Sequence, residues 1–153
     1  MKDFAPDAAG DFDGDQKLVP AIARAMMQND AAARQLGIRF VAADLFGATL
    51  ELKVTGEHLN GHGSCHGGVI FTLADTAFAI ACNASNVVAV AAAASIDFLS
   101  PGRAGETMRA VARRVSQGKR TGVYDIEVRG EDERLIALFR GKAARLKRLV
   151  IES

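Results

Sequence analysis

Val69 to Cys82 reads VIFTLADTAFAIAC, fourteen residues that are apolar on almost every side and contain one charged group, Asp75. The run is too long for a single strand and lacks the period-two alternation of one. Its composition therefore predicts a helix buried all round. Asp75 is the only acidic or basic side chain between His66 and Asp97. An ionised carboxylate in an apolar setting costs several kcal/mol unless it is paired, protonated or opened to a crevice. Such a residue is a candidate for chemistry, and a solvent-facing or backbone-capping carboxylate is the plainer alternative.

Working outward, His58 to Gly68 is a glycine-rich polar loop that delivers the chain into this helix. On its N-terminal side, Ala48, Leu50, Leu52 and Val54 alternate with Thr49, Glu51, Lys53 and Thr55, the mark of a half-buried strand. Gly47 predicts a hairpin turn back to a strand over Ile38 to Ala43. Leu18 to Met27 has apolar positions at helical spacing, and Asp30 can cap a further turn that ends at Gly37. On the C-terminal side, strands are expected at Val87 to Phe98, Met108 to Val115, Thr121 to Arg129 and Leu135 to Arg145. Turn signals at Pro101-Gly102, Gly118 and Gly130 to Glu133 separate them. Helix, two strands, one buried helix and four strands suit an α+β domain whose antiparallel sheet curls around the apolar helix, although other α+β folds share this count.

The chain has 153 residues, 24% of them charged, and a formal net charge of +1. That length fits one domain with one core, and the near-neutral balance draws it toward neither nucleic acid nor acidic membranes. Residues 1–16 carry five aspartates without apolar periodicity and are expected to form a flexible acidic leader, with one domain over 17–153. Asp11 to Asp15 does not have the glycine and glutamate spacing of a calcium loop. The absence of a signal-like apolar N-terminus, with Cys65 and Cys82 the only cysteines, points to a reduced cytoplasm and free thiols. His58, His62 and His66 recur at intervals of four, but Gly61 and Gly63 disfavour the helix that would align them on a metal.

Leu59 to Asn83, LNGHGSCHGGVIFTLADTAFAIACN, resembles the hotdog thioesterases of phenylacetate degradation, the PaaI-like family. The likeness continues in Ile96 to Gly102, Gln117 to Asp125 and Ala137 to Lys142. It implies the hotdog fold and hydrolysis of phenylacetyl-CoA, hydroxyphenylacetyl-CoA or related aromatic and medium acyl-CoA thioesters, with no metal and no dissociable cofactor. It further implies that Asp75 is the catalytic carboxylate, that the Gly67 N–H polarises the thioester carbonyl, and that His66 and Asn60 support the site. A helix start with unpaired N–H groups suits that role for Gly67. Asp75 either attacks the thioester or activates water. His58 and His62 are expected to be ordinary loop residues, Thr76 to hydrogen-bond near the carboxylate, and the side chains Phe71, Leu73, Phe78 and Ile80 to pack the helix.

Gly67 and Asp75 are eight positions apart, roughly 12 Å along one helix axis, so one carbonyl does not easily touch both. A homodimer that pairs Asp75 of one subunit with Gly67 of the other is therefore the expected minimal active unit. The family resemblance implies a homotetramer built from two such dimers. Lys119 and Arg120, beside Gly118, are candidate contacts for coenzyme A phosphates, with Arg103 a weaker one. Two other readings remain: an acyl-CoA hydratase, which lacks its Asp/His pairing here, and a non-hydrolytic acyl-CoA binding or sensing protein on the same fold.

Overall fold

The computed structural model describes residues 14–152. Most of the expected leader lies outside them. Of its last three residues, Asp15 caps a short 3-10 turn over Gln16–Leu18, and Gln16 accepts the Leu45 N–H at 3.0 Å.

Two helices precede the sheet. Helix α1 (Val19–Asn29) has Pro20 in its first turn, and α2 (Ala31–Leu36) starts at Asp30, whose carboxylate accepts the Ala33 N–H at 2.9 Å. Gly37 ends α2 with φ +79°, a conformation that glycine adopts without strain. Strands β1 (Arg39–Asp44) and β2 (Gly47–Lys53) form the expected hairpin. Helix α3 (Gly67–Asn83) follows, then β3 (Val87–Phe98), β4 (Thr107–Gln117), β5 (Thr121–Arg129) and β6 (Leu135–Leu149). Strand β6 runs past the expected end at Arg145 because its last residues pair with the start of β3, Leu149 opposite Val87.

All six strands join in one antiparallel sheet of order β1-β2-β4-β5-β6-β3. The sheet wraps α3. Leu50, Leu52, Met108, Ile126, Val128 and Phe139 point inward from the strands and meet Leu73, Ala74, Ala77, Phe78 and Ala81 of the helix. Burying each large side chain contributes about 1.5–3 kcal/mol. Gly141 lets the sheet come close: a Cβ there would lie 2.7–2.8 Å from three atoms of the Phe78 ring.

The helix is not buried all round. Gly67, Val69, Phe71, Thr72, Asp75 and Ala79 are half-buried and Gly68 is exposed, so a stripe through 68, 72, 75 and 79 is left open by the chain's own sheet. These positions fall on one helix face. Strand β3 is likewise incomplete as a core element. It lies at the sheet edge, and all but two of its residues from Val90 to Phe98 are alanine, serine, isoleucine or phenylalanine, exposed except for half-buried Ile96.

Candidate active site

The loop ahead of α3 is fixed by backbone pairing. Cys65 N–H donates to Gly102 at 2.8 Å, His66 N–H donates to His58 at 2.8 Å, and Leu59 bridges Cys65. Asn60 closes a turn inside it: its side-chain oxygen accepts the His62 N–H at 2.9 Å and the Ser64 N–H at 3.3 Å, and its amide donates to the Ser64 hydroxyl. His58, expected as an ordinary loop residue, is instead buried, and its Nδ1 accepts the Thr55 N–H at 3.0 Å. A buried imidazole that satisfies a backbone donor holds the loop together, and its polar neighbours in the chain carry no local sign of that burial.

His66 is the N-cap of α3, its Nδ1 accepting the Gly68 N–H at 2.9 Å. With Nδ1 an acceptor, a neutral ring carries its proton on Nε2, on the exposed side. Gly68 leaves the cap room, since a Cβ there would lie 3.2 Å from His66 Nδ1 and press on the ring. The Gly67 N–H is the first of the helix and has no acceptor among the described residues. It is a donor at the positive end of a 17-residue helix, aimed at whatever approaches.

Asp75 lies two turns further along. It borders a crevice of about 540 Å³ lined also by Met26, Phe78, Ala79, Ala91 and Arg148. Among the described residues no group donates a hydrogen bond to its carboxylate. Burial, followed by the like charge of Asp30, pushes its pKa above the usual carboxylate value. Asp30 thus has a second effect beyond capping α2, one that needed the tertiary structure to be seen. Thr76 does not serve the carboxylate, because its hydroxyl donates back to the Thr72 carbonyl at 2.7 Å. Asn83 ties the end of α3 to β3. It accepts the Ala89 N–H at 2.9 Å and donates to the Ala89 and Ala79 carbonyls at 3.0 and 2.8 Å.

Within one chain Gly67 and Asp75 share α3 and its axis, which keeps them roughly 12 Å apart. Lys119 and Arg120 are exposed in the β4–β5 turn, where Arg120 accepts the Arg145 N–H and Gly118 N–H donates to Thr121. Neither side chain pairs with a carboxylate among the described residues. This turn lies near Ser85 and the C-terminal end of α3, through the Arg145–Ser85 hydrogen bond, so it is remote from the same chain's Gly67. Arg103 is nearer that glycine, in the loop that bridges Ser64, and it pairs with Asp132 at 3.4 Å. The histidines do not converge, and among the described residues no three His, Cys, Asp or Glu side chains are grouped to hold a metal. Among the same residues no helix is long and apolar enough to cross a membrane.

Residues 62–137 match the family model described as thioesterase superfamily. The acyl-coenzyme A thioesterase PaaI of Escherichia coli strain K12 is 53% identical over 124 residues, covering 81% of this chain and 89% of that protein. The solved structure of the E. coli PaaI protein from the phenylacetic acid degradation operon superimposes with a TM-score of 0.86 at 49% identity, covering 88% of this chain and 97% of the other. A Streptococcus mutans UA159 protein solved with acetyl-CoA bound superimposes with a TM-score of 0.71 at 26% identity, covering 73% and 90% respectively.

Proposed function

The chain belongs to the PaaI-like hotdog thioesterases of the thioesterase superfamily, and from that premise we propose that it hydrolyses acyl-coenzyme A. The substrates are phenylacetyl-CoA, hydroxyphenylacetyl-CoA and related aromatic or medium acyl thioesters, and the products are the carboxylic acid and free coenzyme A. The observation that carries this reading is Asp75, a half-buried carboxylate beside an open crevice with no hydrogen-bond donor among the described residues. A binding module gains nothing from holding such a group next to a thioester.

In this mechanism the thioester carbonyl accepts a hydrogen bond from the Gly67 N–H, and the helix start stabilises the oxyanion as it develops. Asp75 acts in one of two ways. As a nucleophile it adds to the carbonyl carbon, the C–S bond breaks, coenzyme A leaves as a thiolate that takes up a proton, and water opens the mixed anhydride. As a general base it removes a proton from water while the water oxygen adds to the carbon, and the tetrahedral intermediate then collapses with cleavage of the C–S bond, the coenzyme A thiolate taking up the proton. His66 fixes the helix start and presents Nε2–H outward, and Asn60 holds the loop that delivers His66.

The site is shared between subunits. In one chain the two groups lie too far apart along α3, whereas two antiparallel copies of α3 related by a two-fold axis beside Phe71, midway between residues 67 and 75, set each Gly67 opposite the partner's carboxylate. The open stripe through Asp75 and the unpaired edge of β3 support such a pairing. The same arrangement brings the C-terminal end of one helix, with Lys119 and Arg120, toward the other subunit's Gly67, which suits contact with coenzyme A phosphates. Two dimers then associate as a homotetramer, in the cytoplasm.

A thiol-trapping assay over a panel of acyl-CoA thioesters, with Asp75→Ala as control, tests the reading. Release of coenzyme A from aromatic and medium thioesters that is lost in the control is the expected result. Turnover that survives the substitution would move the catalyst elsewhere, and tight binding without product over long incubation would favour a sensor.

A further inference from the structure

The end of β3 carries two large apolar side chains that the chain leaves uncovered, Phe98 and Leu99, at 53% and 54% exposure. Phe98 follows Ile96 on the helix-facing side of the strand, since alternate residues share a face. Its ring rests against the first residue of α3: a Cβ built on Gly67 would lie 3.2 Å from Phe98 Cζ and 3.4 Å from Cε1. The backbone beneath the ring is held along one side by the start of β6. Phe98 pairs with Ala137, Leu99 N–H donates to Ile136 at 2.8 Å, and the Ser100 hydroxyl donates to Leu135 at 2.7 Å.

One turn into the helix, half-buried Phe71 meets Phe139 edge-on with ring centroids 5.1 Å apart. Residues 67 and 71 lie on one helix face. The unpaired Gly67 N–H therefore opens beside Phe98, with a second aromatic side chain one turn further along.

We propose that Phe98 determines acyl specificity, its ring forming the wall against which the acyl group packs when the thioester carbonyl accepts from Gly67. This rests on the thioesterase reading above and deepens it. The carbonyl carbon is trigonal, so its acyl and sulfur arms diverge, and one wall meets one of them. Phe98 offers a hydrocarbon surface, whereas the pantetheine arm is a chain of amides that needs hydrogen-bond partners. An aryl ring on the acyl arm gains an offset or edge contact with Phe98 that a straight chain does not.

The test compares kcat/KM for phenylacetyl-CoA with that for hexanoyl-CoA, in the wild type, Phe98→Leu and Phe98→Ala, together with inhibition by free coenzyme A and thermal unfolding of each protein. The ratio in favour of the aryl substrate falls about 3- to 10-fold in Phe98→Leu and at least as far in Phe98→Ala, with coenzyme A inhibition unchanged. Should Phe98→Ala fail to fold, Phe98→Leu, which keeps the apolar bulk, decides. An unchanged ratio in folded, active variants overturns this inference and leaves the thioesterase reading standing. Equal weakening of both substrates and of free coenzyme A also overturns it, by placing the ring on the coenzyme arm. A wild type that turns over no acyl-CoA overturns the thioesterase reading and this inference with it.

Discussion

Replacing Asp75 by asparagine is expected to make the protein more stable and less active at once. The carboxylate is half-buried, receives no hydrogen bond among the described residues and faces the like charge of Asp30, and burial first, then that charge, raises its pKa above the ordinary 3.8. The folded state therefore holds this proton more tightly than the unfolded chain does. Between the two pKa values the native state binds more protons, so stability falls as pH rises through that window, and the full penalty is present above it. An ion taken wholly out of water costs several kcal/mol, and screening in a half-open crevice leaves about 1 kcal/mol. Asparagine has the same shape without the charge. The unfolding temperature should rise by about 2–4 °C near neutral pH for a chain of this size, while thioester turnover falls by about 10²–10⁴-fold. Thermal unfolding of both proteins near pH 7.5 and again at about pH 2.5 makes the test, because at the lower pH the carboxyl is almost fully protonated in both states and the advantage disappears. No gain at neutral pH would show that the Asp75 charge carries no cost in the folded protein. A gain that persists undiminished in acid would trace it to packing rather than charge.

Three further outcomes follow from the packing around the site. Gly141→Ala drives a methyl into the face of Phe78 and is expected to cost about 1–3 kcal/mol by overpacking; chemical denaturation checks this, and Phe78→Leu in the same chain should recover part of the loss. Asn83→Ala leaves both backbone groups of Ala89 without their partner and should cost about 2–4 kcal/mol in the same measurement. Burial, aided by Glu106, pushes the Cys65 thiol up to about 11, and burial also pushes Cys82 up to about 12, with a smaller contribution from Asp75. Both thiols should therefore resist a disulfide reagent near pH 8 until the protein unfolds, and rapid reaction of the native protein would contradict their burial.

The elements legible in the sequence are those whose pattern is carried by their own residues. Strands β3 and β5 span the residues expected of them between the turn signals, and the Asp30 cap with Gly37 marks α2. Helix α3 was legible as apolar and long, and Asp75 within it as an anomaly. The open stripe was not, because Gly68, Thr72 and Ala79 carry no charge to announce a solvent face, and alanine suits core and crevice alike. The extension of β6 is set by its pairing with β3, a contact more than fifty residues away in the chain. His58 reads as loop because its only signal is a partner, Thr55, whose backbone needs an acceptor. Phe98 passed as one apolar residue of a strand, since nothing local tells that its ring meets the start of α3. Position along the chain marked the candidate residues, and only the packed sheet told what surrounds them.

Whether one subunit's carboxylate works with the other's helix start is tested most directly by mixed dimers of Asp75→Asn and Gly67→Val chains, each inactive alone. A verified heterodimer has one site with both native groups and one with neither, so it should recover about half of the wild-type rate. Heterodimers as inactive as their parents would show that each chain must supply both groups to its own site, and the account would fail.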